Sequence, residues 1–344
     1  MRYEDGIRRL GWRVYLLRNG VVYKNLDIQD APAVNMDTRA EIKKSLSATV
    51  VLPDDVDILN DRLRPVLVID GVEHPLGEFI IATAVEDTSE TGSVSTSVEA
   101  YDGCYLARRY RAESRPHFAA GTVYTDKIQE LLQDCGINKA IIENCAFTMA
   151  TDREDWEIGT TYLEIINQLL SEINYASLWF DADGFARIQR AMTVSAANIK
   201  HTYRKGRYSV ISPKRSAELD VFNKYNVFMA IVDNADLDAP MIAKAVNDNP
   251  ASILSVQQRG RIQAPVEQLN NIASQDALQE YVNNVRDRSM MTTRTVKIET
   301  ALMPGHEVGD VVALDDGIYR ETGWEITLGG DGQMTHTLEQ EVFM

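Results

Sequence analysis

His306, Glu307 and Asp310 stand in the run MPGHEVGDVVAL (303–314) as H-E-x-x-D. That is one residue short of H-E-x-x-H, in which two ligands four apart on a helix hold a zinc ion. Convergence on one ion requires a helix, because only there do residues four apart stack on one face. The neighbours oppose a helix: Pro304-Gly305 precedes the run, Gly309 interrupts it, and VVAL followed by DDGIY has β and turn chemistry. In an extended strand four residues span about 13 Å at roughly 3.3 Å each, too far for two ligands of one ion. The stretch predicts a turn leading into a strand, with no metal bound and with Asp310 as a turn residue.

Other candidates weaken in the same way. DADG (181–184) has the middle of a calcium loop, but that alignment puts Trp179 and Arg190 where acids are required, so Asp181, Asp183 and Gly184 predict a hairpin turn. Asp54, Asp55, Asp57 and Asp61 follow Pro53 and read as a solvated loop or helix start. Arg108, Arg109, Arg111 and Arg115, interleaved with Tyr105 and Tyr110, form the densest basic patch, and a solvated face is the plainest reading of it. The glycines of LGGDGQ lie between two strands and lack the strand-to-helix context of a phosphate loop. His74, His117, His201, His306 and His336 are scattered, and no G-x-S-x-G elbow occurs. No catalytic residue, cofactor or metal is expected.

Those residues belong to a chain of 344, long enough for two or three domains. Apolar residues make up 44% and charged residues 25%, as in soluble globular chains, and no apolar run is long enough to span a bilayer. The N-terminus mixes acids, arginines and glycines where a secretory signal needs a continuous apolar segment. Cys104, Cys135 and Cys145 fit neither a disulfide framework nor a C-x-x-C site, and are expected to be reduced. The net charge of −16 repels phosphate, so specific nucleic-acid binding is not expected. It does suit a wall past which DNA slides without sticking.

The elements that must position these residues are mostly strands. Asn19-Gly20 and Asp70-Gly71 are hairpin turns, and Ile42, Leu46, Ala48 and Val50 line one strand face. Helices are predicted over Ile128 to Cys135, capped by Gly136, and after the Thr161 and Glu164 capping box with a Tyr162, Ile165, Ile166, Leu169, Leu170, Ile173 stripe. A third starts at Ser274 and turns Leu278, Tyr281, Val282 and Val285 inward. The last third ends in a meander with a turn at Asp316-Gly317. The fold class is α+β, mainly β: a first β module over 1–103, an inserted α/β domain over 104–200, and a second β module with one helix over 201–344.

From Thr160 the chain reads TTYLEIINQLLSEINYASLWFDADGFARIQ, then FNKYNVFMAIV, NDNPASILSVQQRGRIQ, SQDALQEYVNNVRDRS and PGHEVGDVVALDDGIYRETGWEITL. A capped helix feeding a D-G hairpin, an asparagine-led strand, a segment before a glycine, a helix and a GD-V-L strand pair resembles, in that order, the hub family of phage-type tails. The front part, with LSATVVLP and VIDGVEHPLGEFII, is similar to the first barrel of those hubs. The resemblance implies two tube-like antiparallel β-barrel domains per chain and a homotrimer. Its six barrels would meet a six-fold tail tube, and its three-fold face the central spike, leaving a channel for DNA. Partners would be the tail tube or distal tail protein, the spike, other baseplate proteins and the tape measure protein. The location would be the virion tail baseplate, after synthesis in the bacterial host cytoplasm. The end at Met344, right after the last strand, suits a hub of a contractile apparatus without an attached hydrolase. Two other classes remain open at this point: a tail-associated cell-wall hydrolase or protease, and a carbohydrate-binding module. The second would want an exposed aromatic platform, whereas Trp12, Trp156, Trp179 and Trp324 fall mostly in segments read as cores.

Overall fold

The computed structural model describes residues 9–88, 90, 92, 94–149, 152–204, 210–219, 224–232, 239–269, 275–330 and 332–343. The front of the chain forms β1 (Leu10–Arg18), β2 (Val21–Asn25), β3 (Asp27–Ile28), β4 (Ala33–Asp37), β5 (Lys44–Val51), β6 (Arg62–Ile69), β7 (Val72–Pro75), β8 (Phe79–Thr88) and β9 (Val94–Tyr101). Asn19-Gly20 and Asp70-Gly71 make the two expected tight turns, with φ of 52° and 77° and of 50° and 86°. Positive φ at both central residues matches the right-handed twist of the flanking strands.

The middle holds α1 (Cys104–Arg109), α2 (Tyr124–Asp134), α3 (Tyr162–Glu172) and the strands β10 (Ala140–Ile142), β11 (Trp179–Phe180) and β12 (Ala186–Ile188). Thr161 caps α3 by accepting the Glu164 N–H at 3.2 Å, and Leu163, Ile165, Ile166, Leu169 and Leu170 are buried. These helices and the β10-β12-β11 sheet enclose one apolar core running from Cys104 to Ile188. At its edge Gly103 lies flat against Phe180: a Cβ there would fall 2.3 Å from the ring. Gly103→Ala is expected to cost about 1–3 kcal/mol by overpacking, measured as a lower urea midpoint, although its φ of −62° suits any residue.

Next come β13 (Ile199–Thr202), β14 (Ile211–Leu219), β15 (Val227–Val232), β16 (Met241–Val246), α4 (Val256–Arg259), β17 (Glu267–Leu269), α5 (Gln275–Met290), β18 (Met291–Ala301), β19 (Val311–Leu314), β20 (Gly317–Thr327) and β21 (Gln333–Phe343). The expected cap of α5, Ser274, lies outside the described residues. The β19–β20 turn is one residue earlier than expected, because Gly317 already pairs with Leu314 and leaves Asp315-Asp316 to turn the chain.

Front and rear strands share one 15-stranded sheet, ordered β14-β18-β21-β20-β4-β5-β9-β8-β6-β1-β2 with β13, β19, β3 and β7 on branches. The join is β20 against β4, with Trp324 opposite Met36 and Ile326 opposite Val34. β4 spends its second edge on β20, so the front strands do not close among themselves, and none of the described sheets closes into a barrel. The fold is mainly β, with a large, mostly antiparallel sheet and few helices.

Contacts divide the chain into Met1–Arg215 with Lys297–Leu338, and Ser216–Val296 with Glu339–Met344. The smaller unit packs α5 on the β16-β15-β17 sheet through Phe228, Ala230, Val232, Ala243, Ala245, Leu278 and Val282. Buried Asn226 organises its loop: the amide donates to the carbonyls of Leu254 and Gly260, and its oxygen accepts from the Ile262 N–H.

Candidate functional site

The three residues of the H-E-x-x-D run do three different jobs. Glu307 to Asp310 form a turn: the Asp310 carboxylate accepts the Glu307 N–H at 2.8 Å, and Gly309 takes φ 73°. Asp310 also meets Lys200 Nζ at 3.1 Å and His201 Nε2 at 3.3 Å. Glu307 points elsewhere. One of its oxygens takes Lys44 Nζ at 2.5 Å and the other the Ala182 N–H at 2.8 Å. His306 turns inward and is buried. The predicted turn is present, and with Glu307 turned toward Lys44 and Ala182 the three residues do not converge as a helix would make them.

His306 instead joins a network that no local motif announces. Its Nδ1 lies 2.6 Å from Glu321 Oε2, and His336 Nδ1 lies 2.5 Å from Glu321 Oε1. On the far side of the rings, Tyr203 Oη is 2.7 Å from His306 Nε2 and Thr300 Oγ1 is 2.8 Å from His336 Nε2. Tyr203 follows β13, Thr300 sits in β18, Glu321 in β20 and His336 in β21, so four separate segments meet here. Glu321 and His336 are completely buried.

Thr300 Oγ1 also lies 2.8 Å from the Ala301 carbonyl, which can only accept. Glu321 accepts from both rings, so each imidazole carries a hydrogen on Nδ1. Burial alone would push Glu321 up, but attraction and hydrogen bonds from His306, with those from His336, hold it at about 2. Burial drives His306 down to about 4 despite the pull of Glu321. His306 is therefore neutral, donating Nδ1–H to Glu321 and accepting from Tyr203. All four ring nitrogens and both Glu321 oxygens thus have a hydrogen-bond partner.

The pH dependence follows from the signs. His306 is depressed on folding, so its contribution is complete above the ordinary 6.5 and is lost as pH falls toward 4. Glu321 is depressed too, and its share is lost between 4.5 and about 2. Asp102 runs the other way: burial raises it to about 6, so protonation between 6 and 3.8 favours the fold. Wild type alone should thus change little from pH 6 to 4.5 and weaken steeply below. The difference between wild type and His306→Gln should grow from pH 4 to 6.5, by at most about 1.4 kcal/mol per pH unit, and be flat above. Urea unfolding at a series of pH values checks this.

Two groups have the composition of a metal site, His306 with Glu321 and His336, and His201 with His306 and Asp310. The geometry of neither suits one. Two donors at about 2.0–2.1 Å on a tetrahedral zinc lie roughly 3.3 Å apart, whereas these nitrogens and oxygens lie at 2.5 and 2.6 Å, the distance of a shared proton. In the second group the rings of His201 and His306 are stacked, 3.7 Å apart and 12° from parallel. Ring lone pairs lie in the ring plane, so stacked rings cannot both aim at one ion.

Beside this core lies a cleft of about 680 Å³, lined among others by Trp179, Arg187, Lys200, Glu307, Asp310 and Arg320. Its lining holds neither histidine nor cysteine. Three of its four carboxylates are engaged in ion pairs: Asp181 with Arg187, Asp310 with Lys200, Glu307 with Lys44.

The other sequence candidates resolve into ion pairs and turns. In the aspartate cluster Arg18 bridges Asp55 and buried Asp61, while Asp57 accepts from Leu59 and Asn60. In the arginine patch Arg108 meets Glu41, Arg115 meets Glu157, and Arg111 donates to the Gly159 carbonyl. Asp181 turns the β11–β12 hairpin by accepting from Asp183 and Phe185. Burial pushes the Cys135 thiol up to about 12 and Cys104 well above its ordinary value, which makes both poor nucleophiles.

Neither a protein-family model nor a curated protein sequence matches the chain. Solved structures do. A tail protein from Neisseria meningitidis MC58 is similar at a TM-score of 0.65 and 16% identity, over 96% of this chain and 97% of that one. The 43 kDa tail protein of prophage MuSo2 from Shewanella oneidensis gives 0.65 and 11%, over 95% and 98%. Prophage tail protein gp18 from Listeria monocytogenes EGD-e gives 0.53 and 12%, over 94% of each chain. Over nearly its whole length, this chain has the fold of phage tail proteins.

Proposed function

We propose that the chain is a structural hub of a phage-type tail baseplate. Three copies form a ring that joins the six-fold tail tube to the three-fold central spike and leaves a channel for DNA. The observation that carries this reading is the likeness to tail-protein folds over 95–96% of this chain and 97–98% of theirs. Its corollary is an absence of catalysis, and the use of His306, Glu307, Glu321 and Asp310 as internal ties supports that. The division proposed is a β module over 1–103, an insert over 104–200 and a second β module over 201–344, each β module supplying one tube-like segment of the ring. The net charge of −16 suits an acidic lumen. The other partners would be baseplate and tape measure proteins, and the location the virion tail.

Mass measurement of the purified chain, alone and with its spike, tests this together with electron micrographs. Three-fold rings with a central hole are expected. A chain that stays monomeric in both conditions, or a lumen lined mainly by Lys and Arg, would remove the reading, and clearing of peptidoglycan in a zymogram would favour a hydrolase.

A further inference from the structure

Among the described residues, two unpaired edges of the front strands are exposed along their whole length. There β2 pairs with β1 alone, and all five of its residues are exposed, Val21 at 70% and Val22 at 49%. β8 is covered on one side by β9 from Ile80 opposite Tyr101 to Thr88 opposite Val94. On its other side β6 reaches only Phe79 and Ile80. Residues 83–88 therefore carry an uncovered edge among the described residues, and all six are exposed, Val85 at 52%.

An uncovered strand edge presents unpaired N–H and C=O groups that template another strand, and folded proteins normally guard it. This chain guards one: along β16, the side-chain amides of Gln275 and Gln279 in α5 donate to the carbonyls of Ile242 and Lys244. Among the described residues, neither β2 nor the 83–88 segment has such a cover. The two edges are complementary in kind. Each is five or six residues long, each shows valine, β2 carries the cation Lys24, and β8 carries Glu86 and Asp87.

We propose that β2 of one copy adds as a strand to the 83–88 edge of β8 in the next copy, with Lys24 brought against Glu86 on one face of the joined strands. The edges differ, so the contact is head-to-tail and repeats until the rotation closes. Closure at three copies rests on the hub reading; the strand junction itself does not.

The test is a cysteine scan in the full chain. Val21→Cys, Val22→Cys, Tyr23→Cys, Lys24→Cys and Asn25→Cys are each combined with Val85→Cys, and the single variants serve as controls. Mild oxidation should link copies covalently at alternate positions along β2, the period of a paired strand, and mixing the Val22→Cys and Val85→Cys chains should give linked dimers only. Lys24→Glu should weaken association roughly tenfold, and Glu86→Lys in the same chain should restore it. Rings that form without alternating cross-links, or a cross-link within one chain, would overturn the junction and leave the hub reading intact. Alternating cross-links in assemblies of another size would keep the junction and remove the trimer. A chain that is monomeric and never cross-links would remove both.

Discussion

Glu321→Ala should lower the stability of the larger unit by about 3–5 kcal/mol, because it leaves the two buried Nδ1–H donors of His306 and His336 without an acceptor, each at about 1–3 kcal/mol. The variant loses the acceptor of both Nδ1–H groups at once, and no neighbour among the described residues of the network can replace it. Glu321→Gln should cost less, about 1–3 kcal/mol, since the amide oxygen still accepts one of the two donors. All four tryptophans lie in this unit, so their fluorescence follows its unfolding in urea without interference from the smaller unit. A chelator should leave the wild-type midpoint unchanged. A midpoint that falls with chelator in wild type, and not in Glu321→Gln, would mean that an ion occupies the place assigned to a shared proton.

What could be read in advance was local chemistry. Asn19-Gly20 and Asp70-Gly71 were legible because a two-residue turn requires positive φ and few residue pairs tolerate it. The start of α3 was legible because Thr161 and Glu164 satisfy a helix end by themselves. The resemblance from Thr160 onward rested on the order of such segments, and the similarity to solved tail proteins extends over the same stretch and beyond it. The pairing of β20 with β4 was not legible, since nothing in either strand names a partner almost 300 residues away. Two separate barrels were the natural expectation for two strand-rich ends, and the single open sheet follows from that one pairing.

The buried ties were missed for a different reason. Strand faces were traced through apolar residues, and the key charges sit in the same inward phase. In β5 the buried positions are Lys44, Leu46, Ala48 and Val50, of which only the apolar three were counted. In β21 His336 stands between buried Met334 and Leu338, and in β20 Glu321 stands two after buried Tyr319. A charged residue in the apolar phase of a strand is thus the signal that could have found the network, because burying it is costly without a partner. His306 was singled out, but for a motif it does not complete.

Lys44→Ala is expected to be nearly as damaging as loss of Glu321, at about 3 kcal/mol or more. Lys44 is buried in β5, its ammonium 2.5 Å from Glu307 and 6.0 and 5.9 Å from the ring centroids of Trp179 and Trp324. Its backbone N–H binds Asp102, and Glu307 in turn holds the Ala182 N–H in the β11–β12 turn. One charge therefore ties a front strand to the turn that carries Glu307 and, through it, to the insert. Lys44→Met keeps most of the buried stem and loses the charge, so its cost should be smaller, about 1–3 kcal/mol. A cycle with Glu307→Gln should show coupling of about 1–3 kcal/mol between the two side chains, because they share one partly buried ion pair. Urea unfolding followed by tryptophan emission gives the energies, and limited proteolysis shows where the loss falls. Cleavage should appear first around residues 303–310 and 181–184, the two loops that Lys44 and Glu307 hold. Additive costs in the cycle would mean that Lys44 stabilises by the packing of its stem alone.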